Sequence, residues 1–322
     1  MTRASLLLAA AISALAPSGA SAQSYPNQPV RIVVPFAAGG AVDTVARVVG
    51  QKMSESLGQP VVIENKPGAG GNLAADTVAR SAPDGYTVLL TTNGHAISPA
   101  LYRTLPFDAV KDFIPVTQLI ESPLLLVASN KLPANSVQEL IALSKEKPGT
   151  LNYGSTGVGN PLHLSMELLK KETGADITNV PYKGDAPLNT ALIAGEVDLA
   201  IVPVATGRAN VENKLVKGLA VTSASRSKAL PDLPTVAEQG VKGFDMGSWQ
   251  GFFVPAKTPN EIVQRLYQEA RKALSAPDVR ERLAKLVAEP VASSPEDFAK
   301  KFKDDVAKYA RIVKEANIPQ QN

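Results

Sequence analysis

Residues 30–43, VRIVVPFAAGGAVD, join a β-branched run (Val30 to Val34) to a proline, four small residues (Ala37, Ala38, Gly39, Gly40) and a helical pattern that begins near Asp43. A strand that ends in a small-residue turn and feeds a helix brings unpaired backbone N–H groups and the positive end of the helix dipole to one place. Such a place suits an anion, a phosphate or a carboxylate. A tight βα turn without any ligand has the same sequence signature, so both readings stand on this segment alone.

Working outward, strand-like and helix-like segments keep alternating. Strands are predicted at 31–34, 61–64 and 87–91, with helices at 43–57, 72–79 and near 97–102. Gly58, Lys66-Pro67-Gly68 and Pro83-Asp84-Gly85 punctuate them. The run 116–128, apolar apart from a few residues around Glu121, is long for one strand and is expected to carry the chain from one lobe to another. A second set follows, with helices at 136–145, 161–173, 186–194 and 235–239 and strands at 151–153, 177–180, 197–202 and 218–222. Residues 247–255, GSWQGFFVP, form a further strand able to bring the chain back. Two helices close the chain, 259–275 and 295–317, each with apolar residues every four positions on one face. The pattern predicts an α/β fold with mainly parallel sheets. It also predicts a leader at 1–22, a discontinuous first lobe (23–120 with 251–322), a second lobe (121–250) and a hinge of two crossing strands.

The first residues read as a secretory signal. Arg3 supplies the charge, 6–15 the apolar core, and Ala20-Ser21-Ala22 a small-residue site for cleavage after Ala22. An exported, periplasmic product is expected. No segment has the length and apolarity of a membrane span. The formal net charge of +3 is too small, and too evenly spread, to argue for nucleic acid. With no cysteine in 322 residues, disulfides, zinc–thiolate sites and thiol catalysis are excluded.

The second lobe carries a counterpart of the opening loop, residues 153–163, YGSTGVGNPLH. Gly154, Gly157 and Gly159 allow a tight turn, Ser155 and Thr156 offer hydroxyls, and Asn160-Pro161 reads as an N-cap followed by proline at the first helical position. A third loop, Pro181-Tyr182-Lys183-Gly184-Asp185, adds a phenol and an ammonium. All three loops follow strands, and open α/β sheets bind ligands outside the carboxyl ends of their strands. A helix N-terminus contributes about 0.3–1 kcal/mol to a nearby anion, and hydrogen bonds to charged groups about 1.5–3 kcal/mol each. A handful of donors therefore suffices to hold a carboxylate without an arginine.

Enzyme readings find little support. The stretch 149–156, GTLNYGST, misses the lysine of a phosphate-binding loop. Neither GxGxxG nor the nucleophile elbow GxSxG occurs at these turns. Only His95 and His163 could act as a base. His163 lies among leucines on a predicted helix, and His95 is expected in a loop beside the cleft. No carboxylate or histidine cluster has metal-ligand spacing, so neither metal nor cofactor is expected. Several residues carry two readings. Asp43 is a first-turn acid favoured by the helix dipole or a contact for a ligand amine. Thr92 and Asn93, just after the strand at 87–91, are counted among the ligand contacts. Asp198 is a strand-edge or hinge hydrogen bonder rather than a catalytic acid, and is counted with them. Trp249 packs in the hinge or lines the cleft.

Taken together, the signal peptide, YPNQPVRIVVPFAAGGAVD, VVIENKPGAGGNLAADTVARSAPDGYTVLL, NYGSTGVGNPLHL, VPYKGDAP and GEVDLAI resemble the Bug-type solute-binding proteins. These are the periplasmic receptors of tripartite tricarboxylate transporters. The resemblance covers nearly the whole mature chain, with the motifs in the family's order. It implies a Venus-flytrap, type II-like fold and a monomeric receptor without catalysis. It further implies a carboxylate gripped between the lobes and delivery to membrane subunits of a transporter. Carried over by motif, it implies Phe36, Ala38, Gly40 and Asp43, with the adjoining Ala37 and Gly39, as first-lobe contacts. It implies Ser155, Thr156 and Gly157 as the second-lobe grip, with Gly159 and His163 beside them, and Tyr182 and Lys183 from the third loop. Many relatives carry an aromatic–acid pair after the GEVDLAI-like strand, where this chain has Ile201-Val202-Pro203-Val204. The alternatives are a ligand-sensing receptor for a two-component system and an exported hydrolase using His95 or His163.

Overall fold

The computed structural model describes residues 25–156, 160–182 and 184–322. The leader 1–22, Gly157, Gly159 and Lys183 therefore lie outside the described residues.

The β-branched opening run forms β1 (Val30–Val34), buried at four of its five residues as a central strand covered on both faces must be. The turn leads into α1 (Ala41–Leu57), which starts two residues earlier than expected and ends at Gly58 in the left-handed conformation, φ 68°. There follow β2 (Val61–Asn65), α2 (Asn72–Ala79), β3 (Thr87–Thr92) and α3 (Gly94–Leu101). The long apolar run is broken at Pro123 into β4 (Phe113–Ser122) and β5 (Leu124–Ser129), which belong to different sheets. Next come α4 (Val137–Glu146), β6 (Leu151–Ser155), α5 (Pro161–Thr173), β7 (Ile177–Pro181), α6 (Asp185–Ala194), β8 (Leu199–Pro203), α7 (Val204–Glu212) and β9 (Val216–Val221). The chain returns through β10 (Ser248–Pro255) and ends in α8 (Asn260–Ser275), α9 (Pro277–Lys285), β11 (Glu289–Pro290) and α10 (Pro295–Glu315).

Two sheets result, with strand orders β11-β4-β10-β3-β1-β2 and β7-β6-β8-β5-β9. Both are mixed rather than mainly parallel. β1, β2 and β3 run parallel in the first sheet and β6, β7 and β8 in the second. Each trio is joined by an antiparallel strand connected to the other lobe: β10 in the first sheet and β5 in the second. A strand arriving from the facing lobe enters at the carboxyl ends of the parallel strands and must run against them.

Register fixes which ends face each other. In the first sheet Ser122 pairs with Ser248 and Gln250 with Thr92, so β3 and its parallel partners end where the chain crosses. In the second, Leu124 pairs with Pro203, so β8 and its parallel partners also end there. The carboxyl ends of both trios therefore look at each other across residues 122–124. The crossing is tied by backbone hydrogen bonds from the Thr222 N–H to the Leu124 carbonyl and from the Met246 N–H to the Thr222 carbonyl.

Three local expectations change. Residues 235–239 form a turn, not a helix. Thr235 and Glu238 exchange the reciprocal side-chain bonds of a capping box, but the chain leaves at Gly240 with φ 101° before a helix can propagate. The helix α7 went unread because Gly207 lowers its propensity; a Cβ there would stand 2.7 Å from Val202, so close packing requires the glycine. Neither the short α9 nor the two-residue β11 was expected. Among the described residues no helix is long and apolar enough to cross a membrane.

Candidate ligand-binding site

The loop after β1 is exposed from Phe36 to Ala41. Gly40 caps α1 without a side-chain bond, and the Thr44 N–H reaches back to its carbonyl. The N–H groups of Ala41, Val42 and Asp43 thus stand at the helix end with no intrahelical acceptor. Gly39, at φ 85°, needs glycine. Gly40 does not, since its φ is −76° and an added Cβ would meet only the Ala37 carbonyl, at 3.6 Å.

Asp43 holds this loop in shape. Its buried carboxylate accepts the Gly39 N–H at 2.8 Å and the Arg47 Nε–H at 2.9 Å on Oδ2, and the Asn65 amide at 2.9 Å on Oδ1. Asn65 also donates to the Phe36 carbonyl at 2.9 Å. Burial alone would raise the carboxyl pKa, but the bonds from Arg47, Gly39 and Asn65 override it and hold the group at about 2. Of its two readings, Asp43 takes the structural one here: a carboxylate with three internal donors is not open to a ligand amine. Asn65 and Arg47 were missed by the sequence reading, and an asparagine ending β2 opposite a glycine loop is the signal that would have found Asn65. The glycine run after β2, with Gly68, Gly70 and Gly71 at positive φ, lies on the same edge and was read only as punctuation.

In the facing lobe, Ser155 ends β6. The residue is 3% exposed, and its Oγ is buried with no partner among the described residues. Its carbonyl accepts the Tyr182 N–H at 2.7 Å, which ties the second and third loops together. Thr156 Oγ1 accepts the Asn160 side-chain amide at 3.2 Å, and Asn160 Oδ1 caps α5 by accepting the His163 N–H at 2.9 Å. Asn160 and Pro161 thus take the positions expected of them. Gly154, read as a turn glycine, lies inside β6 instead: a Cβ there would stand 2.1 Å from Leu188 and 3.4 Å from the ring of half-buried Tyr182. Its absence lets both pack against the strand.

The remaining candidates do not converge. Thr92 ends β3 on the facing edge, but its Oγ1 accepts the Gly94 N–H at 3.2 Å. Asn93 is fully buried and bridges Tyr309 at 2.8 Å and the Gly247 carbonyl at 3.3 Å, so it braces the crossing from behind. Asp198 lies at the amino end of β8, away from the facing edge, where it exchanges two hydrogen bonds with Asn152. Trp249 is buried at 2% exposure; its indole N–H donates to Asp305 at 2.8 Å and its ring packs on Phe298 and Phe302, so it lines no cleft. His163 is buried with its ring 6.2 Å from Tyr153, and burial lowers its pKa. His95, expected in a loop, is enclosed by Phe107, Phe113, Phe253 and Phe302, and burial pulls its pKa down to about 3. A base so enclosed has no access to a substrate. Among the described residues no group of histidines and acids could hold a metal ion.

The facing edges thus present helix N-termini, glycine turns and hydroxyls, with few charges. Arg47 is engaged by Asp43. The arrangement can hold an anion through neutral donors. Residues 45–318 match the family described as the tripartite tricarboxylate transporter family receptor, TctC. The periplasmic binding protein BugD is 36% identical over 92% of this chain and all of its own, with a TM-score of 0.74. An R. palustris protein solved with adipate is 38% identical over 92% of this chain and all of its own, with a TM-score of 0.77. MatC from Rhodopseudomonas palustris, solved with bound malate, is 36% identical over 90% of this chain and all of its own, with a TM-score of 0.73. With these motifs, this two-lobe fold and this match, the chain belongs to the Bug-type TctC receptors, a family of periplasmic solute-binding proteins rather than enzymes.

Proposed function

We propose that the protein binds a small carboxylate, a di- or tricarboxylate, an amino acid or an aromatic acid, between its lobes and delivers it to the membrane subunits of a tripartite tricarboxylate transporter. The observation that carries this reading is the buried hydroxyl of Ser155, without a partner among the described residues, on the edge of one sheet that faces the α1 N-terminus on the other. A buried hydroxyl without a partner loses the hydration it had in water, and a ligand oxygen restores its hydrogen bond. Adipate and malate in two relatives support the ligand class. The proposal includes export with cleavage after Ala22, a monomeric receptor, no catalysis and contributions from Gly157, Gly159 and Lys183.

A ligand that binds only the folded protein raises its melting temperature. Protein freed of ligand by unfolding and refolding is expected to gain thermal stability with at least one member of a panel of aliphatic and aromatic carboxylates. A flat response across the panel overturns the reading.

A further inference from the structure

A second concavity lies along the interlobe edge formed by β11 and β4 of the first lobe and the segment after β9 of the second. It encloses about 270 Å³ and draws its walls from α7 and Lys228 on one side and from α9 and β11 on the other. Arg208, Lys228 and Arg280 line it against a single acid, Glu289. Lys228 and Glu289 pair at 2.6 Å, an ion bridge between the lobes. Arg280 donates its Nε–H to the Leu274 carbonyl at 3.4 Å, and the Arg208 Nε lies 3.5 Å from Glu212. The terminal amino groups of both guanidiniums are unengaged among the described residues. Between the cations the lining is apolar, from Ala229, Ala284 and Val287.

One wall of the groove contains an unusual turn. Val287, β-branched, has φ 51°, a conformation such residues rarely take. It is 8% exposed and packs into the hydrophobic cluster of the second lobe, beside Leu125, Val127 and Val204. The turn between α9 and β11 therefore reaches across to the other lobe.

We infer that this groove is a second anion site, for a small aliphatic carboxylate, separate from the facing loops. Two guanidiniums and an ammonium, none carried by the loops after β1, β6 and β7, supply the charge-assisted hydrogen bonds that a carboxylate needs. The alanines and Val287 take a short hydrocarbon body. Glu289 competes for Lys228 and Glu212 for Arg208, so the site is weaker than its cations alone would make it.

The test is a titration of the full-length mature protein with sodium butyrate at constant ionic strength, followed by the alanine methyl resonances. Saturable shifts are expected at Ala229, Ala284 and Ala288. They should weaken at least tenfold in the Arg208→Gln/Arg280→Gln variant, tighten severalfold in Glu289→Gln, and persist unchanged in Ser155→Ala. Unchanged methyl positions elsewhere verify that each variant is folded, and Lys228→Gln serves if the double variant is not. Non-saturating shifts, the same shifts with chloride in place of butyrate, or equal affinity in the glutamine variants would each overturn the inference.

Discussion

The two facing loops each join a strand to a helix, yet they are finished in opposite ways. In the first, Asp43 fills its own loop: its carboxylate takes an N–H from Gly39, a guanidinium from Arg47 and an amide from Asn65. In the second, the buried hydroxyl of Ser155 has no partner among the described residues. One jaw is satisfied internally and should be rigid before a ligand arrives. On the proposed function, the other is completed by the ligand.

The strongest challenge to this contrast is acid. An unfolded chain takes up a proton on His95 near pH 6.5, whereas the folded chain does so only near 3, so falling pH favours unfolding throughout that interval. Asp43 adds a second window. Its depressed pKa stabilises the fold above about pH 4, and that contribution is lost as pH falls toward 2. Urea midpoints measured against pH should show both, with His95→Phe flattening the first window and Asp43→Asn the second. At neutral pH, Asp43→Ala should cost about 1–3 kcal/mol, because three donors lose a charged acceptor, and carboxylate binding should fall with the loop. A variant as stable as the parent would mean that the first jaw is not internally braced.

Ser155→Ala is expected to behave in the reverse manner. Stability should stay within about 1 kcal/mol of the parent, since no internal bond is broken, while ligand affinity drops by roughly 1.5–3 kcal/mol. Calorimetric titration beside urea melts separates the two, and equal losses of both would erase the contrast between the jaws. Gly40→Leu should weaken binding at an unchanged melting temperature, because the backbone there tolerates a side chain while the space above the helix end does not stay open. If Gly40→Leu binds normally, the first jaw has been placed wrongly. The smallest effect is expected from Trp249: buried against Phe298 and bonded to Asp305, it should keep its emission maximum to within a few nanometres on adding ligand.

Much of the fold could be read from periodicity. Helices such as Pro161–Thr173 and Asn72–Ala79 were bounded correctly, because Asn160-Pro161 and the glycine turn before Asn72 mark their starts in the chain itself. The crossing at Pro123 was visible as a run too long for one strand. Strand direction was not, since whether β5 and β10 run with or against their neighbours depends on which lobe they come from, a long-range fact. The site divided in the same way. Loop positions followed from local pattern, so Gly40 and Ser155 lie on the facing edges. Side-chain destinations did not: Trp249, Asn93 and His95 looked available and are absorbed by α10 and the aromatic cluster, which the sequence places far away.

The register of β10 also orders events during synthesis. It sits between β3 and β4, in the middle of the first sheet, yet it is made after every strand of the second. As the chain emerges from its amino end, the second sheet has all five strands once Val221 has appeared, while the first waits with a gap until Pro255 has followed. The lobe that begins last is therefore the first whose sheet has all its strands, and it can close before the first lobe does.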